Sequence, residues 1–261
     1  IDWKSLGYDA KQIGPQKVTY FVTDSMKQAS SLSRWISNVD DQTVYDKTEN
    51  LYLRADNFSI SLNDVHSLTE NMVKKESKSL SWLAEPTNSE AVFTEKAEDN
   101  KLSNLVKVNK EQLAAIQEVS DTSDVKPYPL DLTYTDKVDG KEKTVTKRIW
   151  VFVTVDTTTI DNGVALYVND FTIKLEEAQS ATVTSVLKKD NYKQTQPNAV
   201  VYDYLSQPQK SNQLTPLTKG EVDGEAKGLS IENSSMLRLK GAKNQEVITD
   251  FVITYNIKTV A

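Results

Sequence analysis

Two stretches of this sequence are near copies of each other, and a duplication strongly limits the folds a chain can adopt. Residues 51–76 read LYLRADNFSISLNDVHSLTENMVKKE, and residues 166–189 read LYVNDFTIKLEEAQSATVTSVLKK. Aligning Phe58 with Phe171 also superposes these identical pairs: Ile60 and Ile173, Leu62 and Leu175, Ser67 and Ser180, Thr69 and Thr182, Val73 and Val186, Lys75 and Lys188. A spacing of about a hundred residues is too long for a solenoid repeat and fits a string of whole domains.

The composition of the chain argues against several classes of partner and site. The chain has 261 residues, enough for each copy to build its own core, and a net charge of −6. An acidic chain is a poor ligand for phosphate backbones, so we expect no nucleic acid among its partners. The absence of cysteine excludes thiol nucleophiles, disulfides and thiolate zinc sites. No apolar run approaches the roughly 18 residues of a membrane span, which predicts no membrane insertion.

Alternating apolar residues predict strands between the repeats. Residues 130–135 (LDLTYT) and 144–155 (TVTKRIWVFVTV) flank Asp139-Gly140, a typical tight-turn pair, and predict a hairpin. Trp150 and Phe152 lie opposite Ile149 and Val151, so the second strand is expected to be covered on both faces. Residues 246–260 (EVITDFVITYNIKTV) show the same alternation in Val247, Phe251, Ile253, Tyr255 and Ile257, and predict that the second copy also closes with a long strand.

The repeated stretch changes its period partway. Phe58, Ile60 and Leu62 alternate as in a strand, and a short helix is predicted after the N-cap residue Thr69, with the same sequence of elements in the second copy. We therefore expect a mostly β chain of tandem immunoglobulin-like β-sandwich modules, each with a short crossover helix. The predicted boundaries are 51–160 and 161–261. Residues 1–50 are interpreted as the C-terminal part of a preceding module plus a linker, because residues 17–23 resemble 129–135.

Several motifs carry a family resemblance. The order FSISLNDVHSLTENMVKKES, KVNKEQL, YPLDLTYTD, a DG turn and KTVTKRIWVFVTVD resembles the bacterial immunoglobulin-like repeats of Gram-positive cell-wall-anchored surface proteins, as in Listeria and enterococcal adhesins. In the second copy YPLDLTYTD has no clear counterpart and residues 219–227 look inserted. The resemblance implies a monomeric adhesin or stalk segment, extracellular at the cell wall, with a host or cell-surface protein or glycan as partner. The alternative is a carbohydrate-binding accessory part of a secreted glycan-degrading enzyme.

Catalytic patterns are weak, which predicts that the chain is not an enzyme. His66 is the only histidine, and Gln179 takes its place in the second copy. Any Ser-His-Asp triad or histidine zinc site would need it, yet the exchange for Gln indicates an ordinary surface residue. Adjacent carboxylates such as Glu176 and Glu177 would point to opposite faces of a strand, which suits solvated charges better than a catalytic pair.

Two further sets of residues are candidate sites. Asp156, Asp161 and Asp170 lie at the junction of the copies and could ligate Ca²⁺, although aspartate also simply favours turns, and no cofactor is expected. A Lys174–Asn256 isopeptide bond, a crosslink that resembles those of many Gram-positive surface sandwiches, is not expected either, because alternation turns both side chains to solvent.

Tyrosines in the second copy are the candidate binding residues. Tyr192, Tyr202 and Tyr204 lie near several glutamines and could stack on sugar rings or anchor a protein. The alternative is that they are half-buried sheet residues, as tyrosines in strands often are.

Overall fold

The described part of the chain is dominated by strands and divides into two compact units. The computed structural model describes residues 7–84, 103–138, 140–161, 163–187, 199–204, 228–243 and 246–255. One unit comprises Ile1–Val119 and Tyr128–Phe152, and the other comprises Ser120–Pro127 and Val153–Ala261. Within the described residues, every helix is too short or too polar to span a bilayer.

The first unit opens with a hairpin and a three-stranded antiparallel sheet. The hairpin pairs β1 (Gly14–Thr23) with β2 (Ala29–Asn38), and the sheet follows the order β3 (Thr43–Asp46), β4 (Leu51–Arg54), β6 (Leu80–Leu83), with β5 (Phe58–Ser61) belonging to another sheet. The hairpin contacts β6, where the Trp82 indole N–H donates to Ser37 Oγ over 3.0 Å. The separate assignment of residues 1–50 to a preceding module stays a prediction.

A four-stranded sheet completes this unit, in the order β5, β9, β8, β7. Its strands and their connecting helices are α1 (Glu70–Glu76), β7 (Val106–Val108), α2 (Lys110–Gln117), β8 (Pro127–Val138) and β9 (Lys141–Thr154). β8 and β9 are neighbours joined through Gly140, whose φ of +74° suits glycine in a tight turn. The predicted hairpin is therefore confirmed.

The strand β9 is buried on both faces, as predicted. Ile149 and Val151 on one face, and Trp150 and Phe152 on the other, are each 2% exposed or less. Lys147 lies on the same face as Ile149 and is also 2% exposed, which its charge did not lead us to expect.

The predicted crossover helix of the first copy is confirmed. Thr69 is the N-cap of α1, and its Oγ1 accepts from the backbone N–H of Met72 over 3.3 Å. A 3₁₀ turn at Val65–Ser67 precedes it, and Val65, Leu68 and Val73 are fully buried. The helix is fixed by a capping hydrogen bond and by one apolar face packed into the core.

The described residues of the second unit form two small sheets and several helices. Its elements are β10 (Thr159–Asp161), β11 (Val164–Tyr167), α3 (Leu175–Gln179), α4 (Val183–Leu187), β12 (Val200–Asp203), β13 (Leu229–Ile231), α5 (Asn233–Gly241) and β14 (Ile253–Tyr255). The first sheet has the order β10, β11, β12, and the second pairs β13 with β14.

Much of the first copy's architecture recurs here. Thr182 takes the place of Thr69, and its Oγ1 accepts from the N–H of Ser185 over 3.1 Å at the start of α4. Six buried residues of the first copy have buried counterparts in the second: Val65 and Ala178, Leu68 and Ala181, Val73 and Val186, Leu113 and Met236, Ile116 and Leu239, Val119 and Ala242. The duplication therefore extends from the sequence to the caps and core positions.

The prediction of a strand at Phe171, Ile173 and Leu175 was wrong. Residues 171–174 form no strand, and Leu175 begins α3. The reason is local, because Glu176 and Glu177 replace Asn63 and Asp64, exchanging turn formers for helix formers placed favourably in a first turn. Lys174 precedes α3 and is exposed, as expected. The expectation had been based on strand alternation, and residues 171–174 form no strand. Asn256 lies outside the described residues.

The predicted long closing strand of the second copy was also wrong for its described part. Only Ile253–Tyr255 is a strand, and Val247 is 90% exposed. The Glu232 N–H donates to Val252 O over 3.1 Å, as the Asn109 N–H donates to Asp131 O over 2.9 Å.

The strand β14 is therefore the counterpart of β8 and not of β9. Ile231 pairs with Ile253 as Val108 pairs with Leu132. The motif YPLDLTYTD thus has a structural counterpart around β14, contrary to expectation. Alternation alone did not distinguish the two strands of one hairpin, since both carry apolar residues with a period of two.

Candidate functional site

The predicted tyrosine site is placed only in part. Tyr202 lies in β12 opposite Ala165, and its ring meets that of Tyr167 edge-on with centroids 5.7 Å apart. Burial raises the pKa of Tyr202, and burial together with the nearby Asp161 raises that of Tyr204. Both side chains are half-buried, and Tyr192 lies outside the described residues. Whether these tyrosines bind a ligand stays a prediction.

The predicted calcium ligands are dispersed. Asp156, Asp161 and Asp170 are all exposed. Across the residues that the structure describes, no group of three or more Asp, Glu, His or Cys side chains is arranged to hold a metal ion. Asp156 lies in a turn, Asp161 ends β10, and Asp170 lies in irregular backbone before α3. Calcium binding by them stays a prediction.

Asp40 and Asp56 of the first unit are held in an ion-pair cluster. Arg54 Nε lies 2.8 Å from Asp40 Oδ2, and Arg54 Nη2 lies 2.8 Å from Asp56 Oδ1. Burial tends to raise the pKa of Asp40, but hydrogen bonds from Thr43 and Arg54 outweigh it and lower the pKa. One arginine offsets only one of the two carboxylate charges, and its hydrogen bonds use one oxygen of each carboxylate.

Lys147 lies next to this cluster and is 2% exposed. Among the described residues its Nζ has no hydrogen-bond partner. Burial lowers its pKa to about 8, while Asp40 and Asp56 oppose that shift and Arg54 adds to it. A buried amine of this kind costs stability unless it is neutral or paired.

A second polar cluster joins α2 to the four-stranded sheet. Arg148 donates two hydrogen bonds to the Asp131 carboxylate, over 2.7 and 2.6 Å. The Gln112 amide donates to Asp131 Oδ2 and accepts from the Asp131 N–H, over 3.0 and 2.6 Å. The side-chain hydrogen bonds to Asp131 outweigh its burial and lower its pKa. Every group in this cluster is used to position α2 against β8 and β9.

His66 has a structural contact. It is exposed, and its Nδ1 lies 2.5 Å from the carbonyl oxygen of Gln117, so Nδ1 must carry the proton in order to donate. The Gln117 amide in turn donates to Leu68 O. The imidazole thus links the 3₁₀ turn to the end of α2.

The sequence analysis missed a stack of three aromatic rings in the first unit. Tyr45 in β3, Tyr52 in β4 and Trp82 in β6 are directly opposite one another in the sheet register. Ring centroids are 4.3 Å apart for Tyr45 and Tyr52 and 5.1 Å apart for Tyr52 and Trp82, with interplanar angles of 16° and 7°. The available signal was one aromatic residue in each of three short strands, TVYD, LYLR and LSWL, but their register could not be read from the sequence.

Comparison with known proteins gives no independent assignment. No protein-family model matches the chain, and no curated protein matches it significantly.

Proposed function

We propose that the chain is a non-enzymatic tandem-module segment of a secreted or cell-wall-anchored bacterial surface protein, acting as an adhesin or stalk. The observation that carries the proposal is the duplication of one set of elements, with a matching helix cap at Thr69 and Thr182 and matching core positions. A unit that is repeated with its core kept and its surface changed provides length and rigidity. The motif resemblance to Gram-positive surface repeats supplies the class.

The two copies, residues 51–160 and 161–261, are each proposed to be an immunoglobulin-like β-sandwich module with a short crossover helix. Support comes from the first unit, which contains a three-stranded and a four-stranded sheet. Both sheets bury apolar residues, in β4 of the first sheet and in β8 and β9 of the second. Residues 1–50 are proposed to be the end of a preceding module, because the hairpin β1–β2 has the same hairpin form as β8–β9.

The non-enzymatic reading is supported by how the described polar groups are used. Arg54 joins two aspartates, Arg148 joins Asp131, and His66 holds the Gln117 carbonyl. In each case the group that could act as an acid or base is occupied by a contact that stabilises the fold. Catalysis would require such a group to face a substrate.

The alternative, a carbohydrate-binding accessory segment of a secreted glycan-degrading enzyme, is favoured by one observation. Tyr45, the outer ring of the aromatic stack, is 42% exposed. Aromatic rings at a surface are common contacts for sugar rings and for protein partners. The two candidate functions differ in the other domains expected in the full-length protein, because an accessory module belongs to a chain with a hydrolase domain.

Surface labelling tests the proposal. Antibodies raised against this chain are applied to intact and to lysed cells of the bacterium that encodes it, and the cells are also treated with trypsin before labelling. We expect strong labelling of intact cells that trypsin removes. Labelling only after lysis would contradict a surface location, and labelling only of the culture fluid, on a chain that carries a hydrolase domain, would favour the alternative.

A further inference from the structure

We propose that Tyr45 is the stacking platform of a binding site for a neutral pyranose ring of a glycan. The proposal concerns a ligand of the first unit and holds wherever the protein is located, so it goes beyond the proposed function. It rests on the geometry of the stack formed by Tyr45, Tyr52 and Trp82, on its position at a sheet edge, and on the polar turn beside it.

Among the described residues, the stack ends at the sheet edge with the exposed ring of Tyr45. The sheet order is β3, β4, β6, so β3 is an outer strand, and the three rings follow one another across the strands toward it. Strands in a sheet lie about 4.8 Å apart, close to the two centroid distances. One further ring would therefore fit beyond Tyr45 at the same spacing. Tyr45 is 42% exposed, whereas Trp82 at the inner end is 1% exposed.

The platform is held in place before any ligand arrives. The Tyr45 hydroxyl donates to Asn50 Oδ1 over 3.0 Å, and its ring lies on Tyr52. Trp82 is fixed below Tyr52 by its hydrogen bond to Ser37. A ring whose orientation is already set loses little conformational entropy on binding, which favours affinity.

The surroundings of Tyr45 fit a sugar better than an apolar partner. The turn after β3 is built by Asp46 Oδ1, which accepts from the N–H groups of Thr48 and Glu49 over 2.9 and 3.0 Å. Lys47, Thr48 and Asn50 are exposed around it. A pyranose presents one face of C–H bonds to an aromatic ring and hydroxyl groups at its rim, which need polar partners. A protein hot spot would instead be ringed by further apolar surface.

The second unit shows that the fold does not require this stack. Its sheet β10–β11–β12 has the same antiparallel order, with Ile160, Ala165 and Tyr202 opposite one another where the first unit has Tyr45, Tyr52 and Trp82. A sheet of this kind thus forms with only one aromatic residue in the row. Trp82 and Tyr52 pack in a core cluster of the first unit, so Tyr45 is the ring of the row that a ligand explains more readily than folding.

The test is an NMR titration of the isotope-labelled full chain with neutral hexasaccharides of glucose, mannose, galactose and N-acetylglucosamine. We expect at least one of them to shift the amide signals of residues 43–52 in a saturable way. Tyr45→Leu, which keeps apolar bulk without a π-face, should weaken binding about tenfold or more, whereas Tyr45→Phe should stay within about threefold. Phe21→Ala, which removes an aromatic ring that is 68% exposed on the hairpin β1–β2, is the control and should bind normally.

Three outcomes would overturn the proposal. These are no shift at residues 43–52 with any of the sugars at millimolar concentration, equal affinity of the Tyr45→Leu variant and the original chain, or shifts confined to Tyr202 and Tyr204. Unchanged amide spectra of both Tyr45 variants outside residues 43–52 will show that they remain folded. Because the purified chain is used, a negative result says nothing against surface display, and absence of surface display says nothing against this site.

Discussion

At the scale of single residues, the charge of Lys147 is the least expected feature of the first core. Its neighbours on the same face of β9, Val145 and Ile149, are apolar and buried, so the strand pattern would be continuous with an apolar residue at this position. The nearby carboxylates Asp40 and Asp56 are already paired with Arg54. The amine therefore has weak compensation for its loss of hydration.

This arrangement predicts a pH-dependent effect of Lys147→Met. The folded-state pKa of about 8 lies below the usual value of 10.5. Between these values the unfolded chain binds more protons, so the free energy of unfolding contributed by Lys147 rises with pH. The penalty is full below pH 8 and is roughly 3 kcal/mol at most. We expect Lys147→Met to be more stable than the original chain at pH 6.5, with the difference shrinking toward pH 10.

Urea denaturation followed by tryptophan fluorescence measures this effect. All four tryptophans precede residue 151, so the signal reports the first unit. Comparing the variant with the original chain at each pH cancels the titration of groups common to both. A stability difference that does not change between pH 6.5 and 10 would contradict the predicted pKa shift.

Burial also predicts unequal costs for the two aligned phenylalanines. Phe58 is 9% exposed, and Phe58→Ala should cost about 3 to 5 kcal/mol through lost burial and a cavity. Phe171 is half-buried and meets Phe251 edge-on at 5.3 Å, so Phe171→Ala should cost about 1 to 2 kcal/mol. Amide hydrogen exchange resolves the two units separately. Equal losses would mean that the two positions are equally buried in solution.

At the scale of elements, both copies contain a short helix that begins after a capping threonine, α1 after Thr69 and α4 after Thr182. Thr69→Ala and Thr182→Ala each remove one capping hydrogen bond and should each cost about 1 kcal/mol. Thr69→Ser and Thr182→Ser keep an oxygen at the same place and serve as controls with little change. Hydrogen exchange of the α1 and α4 amides checks this, and a cost at only one of the two threonines would show that the caps are not equivalent.

Elements were predictable from the sequence where the turn or capping residues and the spacing of apolar residues favour the same structure. The hairpin β8–β9 has strong alternation and an Asp-Gly turn, and α1 has a threonine cap and an apolar face, so each was identified correctly. The segment 171–175 was predicted to be a strand because Phe171 and Ile173 are identical to the aligned residues of β5. The helix-forming Glu176 and Glu177 that follow were given too little weight. The aromatic stack was missed because it depends on which strands pair, and pairing between distant short strands leaves no local signal.

At the scale of the whole molecule, one set of elements recurs in two copies that share caps and several core positions and differ in other residues, buried ones included. The first unit carries the aromatic stack and the cluster of Arg54 with two aspartates. In the second, Ala165 replaces Tyr52 and Tyr167 replaces Arg54, while the cap and the core positions remain. Such a pattern is expected of modules that keep a shape and vary their contacts.

An experimental structure of the chain tests the central claim most directly, through the pairing of β14. We expect Ile231 to pair with Ile253 and the Glu232 N–H to donate to Val252 O. We also expect β13, α5 and β14 to superpose on β7, α2 and β8. The contrary result would be a continuous strand from Val247 to Tyr255 that superposes on β9. In that case the second unit would not be a copy of the first, and the proposal of tandem modules would lose its structural basis.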